Sequence, residues 1–391
     1  MIDRDLRLVL EELARRYPVL TVTGPRQAGK TTLCRSAFPD RLYLSLEAHD
    51  VRAFARDDPR GLLAEHPGGA ILDEIQHAPE LVGYLQVEVD ERPDPGRFIL
   101  TGSQHLGLTQ AVSQSLAGRT AVLHLYPPSL AELRRFESPP TTLDETLWAG
   151  AYPRIHDRRI PAGRWLADYV TTYVQRDVRQ VLNVGDLEAF TAFVRHCAGR
   201  TGQTLNLSAL GADVGVAHNT ARAWLSVLEA TFLVFRVPSW QRTPHKRLVK
   251  APKLHFVDTG LACQLLGIAE PDQLRHHPLR GALFESWVAS EILKTRAHRG
   301  LDPRLHHYRD ARGHEVDLVV ESERSTFLVE AKAGATVHGD FFAPLANLAD
   351  VVAERLPTKP VERRLVFGGE QPQSRGAARA VPWGRIDREE W

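Results

Sequence analysis

The chain has 391 residues, of which 43% are hydrophobic and 25% are charged, and its formal net charge is +1. These values are typical of a folded protein with two or three domains, and they exclude a wholly disordered chain. The three cysteines are too few and too scattered for a disulfide framework or a cysteine-based zinc site. No apolar stretch reaches the roughly 20 residues that span a membrane, and the N-terminal segment lacks the pattern of a signal peptide, so we expect a cytoplasmic protein.

The first motif is a glycine-rich loop. A short β-branched run at 18–23 predicts a buried parallel strand, and it leads into a G-x-x-x-x-G-K-[ST] match followed by helix-forming residues. The backbone N–H groups of such a loop surround a phosphate at the helix N-terminus. Lys30 would reach the β- and γ-phosphates of ATP, and the Thr31 hydroxyl would bind Mg²⁺. The predicted nucleotide-binding residues are Gly24, Pro25, Arg26, Gln27, Ala28, Gly29, Lys30, Thr31, Thr32 and Ser103.

Two further strands are predicted to end beside this loop. One apolar strand runs into Asp73 and Glu74. In this pattern the first carboxylate holds Mg²⁺ and the second polarises the attacking water. The next strand ends in polar residues, of which Ser103 or Gln104 would sense the γ-phosphate. Strands alternating with helices predict a doubly wound parallel sheet that binds its ligand at the carboxyl edge.

Arg119 follows a helical stretch and precedes another predicted strand. Two interpretations stand for this residue. It would act as an arginine finger on a neighbouring subunit, which requires self-association, or it is an ordinary surface arginine.

Several segments together carry a family resemblance. The first part of the chain contains, in order, GPRQAGKTT, ILDEIQ, ILTGS and SLAGR. The remainder contains WAGAYPRI, YVTTYVQRDV, FVDTGLACQLLG, GALFESWVASEI and EVDLVV…LVEAKAG. Over nearly its whole length the chain resembles a family of bacterial and archaeal AAA-type ATPases with a C-terminal restriction-endonuclease-like domain.

The resemblance implies ATP binding and an α/β fold class. It implies an AAA-type P-loop parallel sheet, then a helical and winged-helix segment, then an α/β restriction-endonuclease-like domain. Proline-rich stretches near 126–128 and 138–140 suggest where the first domain ends. The predicted domains are therefore 1–140, 141–250 and 251–391.

The middle segment predicts a helix–turn–helix. Residues 207–216 and 217–228 form two predicted helices, with Ser208 capping the first and Gly215 making the turn. A following strand gives a winged-helix arrangement, in which Arg222 and nearby polar residues would reach DNA. A basic patch lies just beyond, and it consists of Arg242, His245, Lys246, Arg247, Lys250 and Lys253. DNA contact, packing between domains and a solvated charged loop all remain open for this region.

The last domain predicts two strands joined by a turn. Asp317 lies on the first strand, and Glu330 and Lys332 lie on the second. This arrangement resembles the core of PD-(D/E)XK nucleases, in which two carboxylates hold Mg²⁺ or Mn²⁺ and the lysine orients water or stabilises developing charge. Glu285, on the preceding predicted helix, would add a third metal ligand. The other interpretation is a structural or binding module without catalysis, because the proline-containing element of the nuclease signature is absent.

Two functions follow from these motifs. The leading hypothesis is a Mg²⁺-dependent ATPase coupled to a winged-helix and nuclease-like half that acts on DNA. The alternative is an ATP-driven switch or scaffold, in defence or in a toxin–antitoxin-like system, whose C-terminal domain binds a protein partner without catalysis. The expected ligands are ATP or ADP and Mg²⁺, self-association is compatible with Arg119, and no membrane partner is expected.

Overall fold

The computed structural model describes residues 2–103, 115–173, 186–240, 249–310 and 312–391. Gln104 and the basic-patch residues from 242 to 247 lie outside these ranges. The chain divides into two compact units. The first consists of Met1–Pro128 with two later segments, Ala230–Phe232 and Ala297–Leu301, and the second contains the rest. Across the described ranges, no helix combines the length and the apolar character needed to cross a membrane.

A five-stranded parallel sheet forms the centre of the first unit. The helices and strands are α1 (Leu6–Leu13), β1 (Val19–Thr23), α2 (Lys30–Ala37), β2 (Leu42–Ser45), α3 (His49–Asp57), α4 (Pro59–Ala64), β3 (Ala70–Asp73), α5 (Leu81–Glu91), β4 (Phe98–Gly102) and β5 (Thr120–His124). The strands lie in the order β2-β3-β4-β1-β5. The predicted parallel sheet is confirmed. The sequence pattern does not predict β2, because this edge strand has only four residues and begins with a half-exposed leucine.

Apolar residues on both faces of the sheet hold the first unit together. Leu72 and Leu100 pack in one hydrophobic cluster, whereas their neighbours Ile71 and Ile99 pack in another. Because side chains alternate along a strand, the two clusters cover opposite faces. β1 lies in the interior of the sheet with all five residues buried, so its carboxyl end is a rigid support for the loop that follows.

The second unit contains the remaining elements. They are α6 (Leu130–Leu133), α7 (Leu143–Ala149), α8 (Pro153–Arg158), α9 (Ala162–Tyr169), α10 (Leu187–Gly199), β6 (Gln203–Thr204), α11 (Leu207–Asp213), α12 (His218–Ala230), β7 (Val234–Val237), β8 (Lys253–Phe256), α13 (Thr259–Leu265), α14 (Pro271–Leu274), α15 (Arg280–His298), β9 (Leu305–Arg309), β10 (Glu315–Glu321), β11 (Thr326–Lys332), α16 (Ala343–Arg355), β12 (Val361–Phe367), β13 (Gln373–Arg375) and β14 (Ala378–Pro382). β6, β8 and β7 form an antiparallel sheet, with β8 in the middle. β9 to β14 form a mixed sheet in the order β13-β14-β12-β11-β10-β9.

The two helices predicted in the middle segment are present as α11 and α12. Gly215 makes the turn between them with a φ of 73°, as predicted. The cap of α11 differs from the prediction. Asn206, not Ser208, is the N-cap residue, and its side chain accepts a hydrogen bond from the Ala209 N–H at 3.0 Å. Asn206 precedes the first helical residue, which is the position from which a side chain reaches the free N–H groups.

Candidate functional site

The loop between β1 and α2 has an unusual backbone. Gly24, Gln27 and Gly29 have φ angles of 152°, 66° and 96°. A Cβ added at Gly24 would lie 2.0 Å from the carbonyl oxygen of Leu125, so only glycine fits there. α2 begins immediately after Gly29 and leaves its first N–H groups free within the loop. The loop therefore has the backbone shape of a phosphate cradle.

Lys30 is held inside this loop. Its Nζ donates hydrogen bonds to the carbonyl oxygens of Gly24 and Pro25, each at 3.0 Å, and the residue is only 5% exposed. Burial lowers the pKa of Lys30, and the nearby Glu74 and Asp73 carboxylates oppose that shift. The ammonium thus lies at the loop that would hold the phosphates.

Asp73 is the centre of a hydrogen-bond network at the end of β3. Thr31 Oγ1 donates to Asp73 Oδ1 at 2.8 Å, and Tyr43 OH donates to Asp73 Oδ2 at 2.7 Å. Thr101 Oγ1 also donates to Asp73 Oδ1. Burial, together with the hydrogen bond to Asp73, raises the pKa of Tyr43 to about 12, which keeps the phenol protonated as a donor. The hydroxyl of Thr31 and the carboxylate of Asp73 are oxygen donors of the kind that Mg²⁺ prefers.

Glu74 follows in a strained conformation. Its φ is 56°, in the left-handed region that non-glycine residues rarely adopt. Glu74 Oε2 accepts hydrogen bonds from Ser103 Oγ at 3.1 Å and from the Gln76 amide. The Glu74 N–H donates to Thr101 Oγ1 at 3.2 Å. Ser103 therefore lies beside Glu74, whereas the other predicted candidate, Gln104, is outside the described residues.

Several residues around the site have no role in the motifs described above. Thr101, Tyr43 and Gln76 position the two carboxylates. Thr101 and Gln76 lie in the segments ILTGS and ILDEIQ that carry the family resemblance, whereas Tyr43 lies outside them. Arg4 links the loop to the residue that follows β5 by two positions. Its Nη1 donates to Ala28 O at 2.8 Å, and its Nη2 donates to Tyr126 O at 2.7 Å. Nothing local in the sequence signals the role of Arg4, because its partners are 24 and 122 residues away.

The remaining predicted residues of the nucleotide site lie at its surface. Arg26 forms an ion pair with Glu47 at 3.6 Å, and Thr32 is exposed. Arg119 is bound within its own unit, since its Nε and Nη2 donate to the two carboxylate oxygens of Asp90 at 2.5 and 2.8 Å. An action of Arg119 on another subunit would require it to leave Asp90.

The acidic residues predicted in the last domain surround a lysine. Lys253 Nζ lies 2.8 Å from Glu285 Oε1, 2.6 Å from Glu315 Oε1 and 3.4 Å from Asp317 Oδ1. The other oxygen of Asp317 accepts a hydrogen bond from the Ala331 N–H at 2.9 Å. Burial tends to lower the pKa of Lys253, but the three carboxylates outweigh it and raise the pKa well above its usual range. This ammonium is therefore charged.

Glu330 and Lys332 form the neighbouring part of this cluster. Lys332 Nζ donates to Glu330 Oε1 at 2.6 Å, and Glu330 Oε2 is buried with no hydrogen-bond partner among the residues that the structure describes. Burial and the proximity of Asp317 raise the pKa of Glu330 to about 7, and the same causes raise the pKa of Glu285 to about 8. Both shifts reflect first the burial of these carboxyl groups and then the neighbouring negative charge of Asp317.

The divalent metal that the nuclease resemblance implies does not fit this arrangement. One oxygen from each of Glu285, Glu315 and Asp317 already faces the Lys253 ammonium. Within the described ranges, no group of three or more metal-ligating side chains is arranged to hold a metal ion. The predicted ligands are thus brought together, but around an internal cation. Lys253 also belongs to the basic patch for which the sequence leaves DNA contact, packing between domains and a solvated loop open. At 2% exposure, this residue is not available for DNA contact or for a solvated loop.

The start of α12 is accessible to solvent. Asn219 and Arg222 are exposed, and Ser226 is exposed one turn further along. His218 and Thr220 are half-buried. Lys250 is the exposed member of the basic patch in the described part of the chain.

Three domain families match the chain. An AAA domain matches residues 16–134, a domain of unknown function (DUF8612) matches 140–272, and a second domain of unknown function (DUF4143) matches 280–386. The AAA match covers the strand, loop and carboxylates that form the nucleotide site. The first unit is accordingly an AAA-type P-loop ATPase domain.

Two curated relatives are similar along most of their length. They are Uncharacterized protein Mb2031c of Mycobacterium bovis and Uncharacterized protein Rv2008c of Mycobacterium tuberculosis. Each is 30% identical over 340 residues, which cover 85% of this chain and 74% of the relative. A solved structure described as the Walker-type ATPase PABY2304 of Pyrococcus abyssi is 15% identical, with a TM-score of 0.47, over 68% of this chain and 96% of that one. The chain belongs to the family of the two mycobacterial proteins, an AAA-type ATPase family.

Proposed function

We propose that the protein hydrolyses ATP with Mg²⁺ as its cofactor, through Lys30, Thr31, Asp73 and Glu74. The hydrogen bond of 2.8 Å between Thr31 and Asp73 carries this proposal, because it brings the two predicted magnesium ligands together directly beside Glu74. Thr31 and Asp73 would hold the Mg²⁺, which would supply charge neutralisation at the transferred phosphate.

The side chains have distinct roles in this proposal. Lys30 exchanges its two backbone carbonyl partners for phosphate oxygens, which accept charge-assisted hydrogen bonds more strongly. Tyr43 and Thr101 hold the Asp73 carboxylate in place. Glu74 accepts the proton of the attacking water, and Ser103 orients its carboxylate.

The test measures nucleotide binding and Mg²⁺-dependent phosphate release with the full chain. Lys30→Ala should weaken ATP affinity about tenfold or more, because hydrogen bonds to charged groups contribute about 1.5–3 kcal/mol each. Lys250→Ala, which removes an exposed lysine, is the matched control and should behave like wild type. Unchanged ATP affinity and turnover in Lys30→Ala would refute the site.

We also propose that the ATPase acts on DNA through α12. The element order α10–β6–α11–α12–β7–β8, with an antiparallel sheet of β6, β8 and β7, supports the winged-helix arrangement in this proposal. The exposed Asn219 and Arg222 at the start of α12 support a phosphate or base contact there.

Salt-dependent binding tests the DNA proposal. Anisotropy of a labelled duplex, measured at several salt concentrations, should show affinity falling steeply as salt rises. Arg222→Ala should reduce the slope of log K against log salt by about 1, as expected for one lost phosphate contact. Arg195→Ala, an exposed arginine on α10, is the control that should leave the slope unchanged. Absence of DNA binding at low salt would favour the alternative, a switch that binds a protein partner.

For the C-terminal mixed sheet, the contacts favour the non-catalytic alternative. The nuclease interpretation has one observation in its support: Leu318 pairs with Val329, so Asp317 and Glu330 occupy the next positions of the same ladder. The position of Lys253 is the stronger argument, and it opposes the nuclease interpretation. The ammonium of Lys253 contacts Asp317 and Glu285, two of the carboxyl groups that would have to bind the metal of a nuclease. We therefore propose that this half serves an ATP-driven switch without cleaving phosphodiester bonds.

A further inference from the structure

The second unit has a groove near the C-terminal end of the chain. Residues from the segment that follows α6 line it, together with residues of a short 3₁₀-helix at Trp383–Arg388. Its volume is about 460 Å³, and it is open to solvent. This volume lies within the range of roughly 300–1,000 Å³ that is common for ligand sites. None of the lining residues belongs to the nucleotide site or to the acidic cluster around Lys253, so the groove has no role in the functions proposed above.

Arginine side chains give the groove a positive charge. Arg134, Arg385 and Arg388 line it, and Glu370 is the only acidic residue among its described lining residues. Arg385 and Arg388 are exposed, and neither forms an ion pair within the described ranges. A guanidinium group binds a carboxylate through two parallel hydrogen bonds, so these two arginines favour an acidic ligand.

Contacts beneath the groove hold its shape. Arg134 Nη1 donates to Asp387 Oδ2 at 2.6 Å, and Arg134 Nη2 donates to the carbonyl oxygen of Gly384. These bonds tie the end of α6 to the 3₁₀-helix. The ring of Trp383 packs edge-on against Trp287 of α15, with ring centroids 6.1 Å apart. A groove that is already formed loses less conformational entropy when a ligand binds, which favours affinity.

The lining favours a peptide over a nucleic acid. Pro139, Pro140 and Trp383 supply apolar and aromatic surface, on which the side chains of an extended peptide pack well. A nucleic acid carries a negative charge at every nucleotide and needs a track of cations along its backbone, which the carboxylate of Glu370 would interrupt. A peptide can place an apolar residue beside Glu370 and its acidic residues beside the arginines.

We propose that this groove binds an extended acidic peptide segment of a partner protein. Arg385 and Arg388 contact its carboxylates, and Trp383 contacts its apolar side chains. The proposal rests on the proposed role of the C-terminal half as a switch without catalysis, because it names the chemistry of the partner that such a switch binds.

Labelled peptides test the proposal on the full chain without nucleotide. A fluorescein-labelled peptide with the repeated unit glutamate–glutamate–leucine–proline should bind, as measured by anisotropy at low salt. The same peptide with glutamine in place of glutamate should bind about tenfold more weakly. Arg385→Gln combined with Arg388→Gln should weaken binding of the glutamate peptide about tenfold, because each exposed ion pair contributes a factor of up to about five.

Arg324→Gln is the matched control. Arg324 is exposed and lies in the turn between β10 and β11. β11, β12 and β14 run parallel, so this turn lies at the opposite edge of the mixed sheet from Pro382, which lines the groove. Arg324→Gln should therefore bind the glutamate peptide as wild type does.

The proposal is overturned if wild type binds neither peptide, or if the combined arginine variant, shown to be folded by circular dichroism, binds the glutamate peptide as tightly as wild type. Equal affinity for the two peptides has the same consequence. A labelled single-stranded oligonucleotide that binds more tightly than the glutamate peptide, and loses affinity in the arginine variant, would assign the groove to nucleic acid instead. Metal-dependent DNA cleavage by the chain would refute the switch without changing the peptide affinities, so the two proposals fail separately.

Discussion

Replacement of Glu74 by glutamine should slow ATP hydrolysis about 10²- to 10⁴-fold while leaving ATP affinity near that of wild type. The amide cannot accept the proton of the attacking water, but its oxygen still accepts the hydrogen bond from Ser103. Lys30, Thr31 and Asp73, which we propose contact the phosphates and the metal, are unchanged. Single-turnover phosphate release and equilibrium binding of a fluorescent ATP analogue measure the two effects separately.

Glu80→Gln is the matched control for this change. Glu80 lies six residues further along, is exposed, and forms an ion pair with Arg56 at 3.4 Å. Its replacement should leave hydrolysis unchanged. A Glu74→Gln protein that retains wild-type turnover would show that Glu74 is not the general base.

Replacement of Lys253 by methionine should lower the free energy of unfolding by about 3–5 kcal/mol, the usual loss when one partner of a buried ion pair is removed. The carboxylates of Glu285 and Asp317 would be left buried without their cation. Lys250→Met should change the free energy of unfolding by no more than about 0.5 kcal/mol, as expected at an exposed site. Urea unfolding followed by circular dichroism measures both.

The decrease in the free energy of unfolding caused by Lys253→Met should depend on pH. The folded-state pKa of Glu285 is about 8, above its ordinary value of 4.5, so the folded protein binds this proton more tightly than the unfolded chain. Stability contributed by that proton is present at low pH and is lost as pH rises through 8. A protonated carboxyl group needs no cation, so Lys253→Met should lose less stability at pH 5.5 than at pH 8.5. Equal losses at both pH values would contradict the role of Lys253 as a counter-ion.

The nucleotide site could be predicted because its signals are local. Gly24, Gly29 and Lys30 lie within seven consecutive residues, and the strand before them and the helix after them are short and regular. Asp73 follows its own apolar strand, and parallel strands bring their carboxyl ends to one edge. Because β1 and β3 both end at this edge, the sequence predicts that Thr31 and Asp73 lie close together, and the structure has them hydrogen-bonded.

The acidic cluster could be predicted only in part. Asp317 and Glu330 are close because they lie on one hairpin, and the sequence shows the hairpin. Lys253, in contrast, is 32 residues from Glu285 and 64 from Asp317, and it belongs to a different sheet. In the sequence it stands among other basic residues, so composition favours a surface patch. Only the fold reveals that this lysine is buried among acids.

The first unit is not continuous along the chain. β1 pairs with β4 and β5, roughly eighty and one hundred residues later, so one of its edges stays unpaired until residue 102 has been synthesised and the other until residue 124 has been synthesised. The unit also takes in Ala230–Phe232 and Ala297–Leu301, and the Tyr126 N–H donates to His298 Nε2 at 3.1 Å. During synthesis the ATPase domain therefore becomes complete only when about three-quarters of the chain has left the ribosome. A fragment that ends at residue 140 contains every nucleotide-site residue yet lacks these returning segments, so it is the wrong piece from which to measure the ATPase.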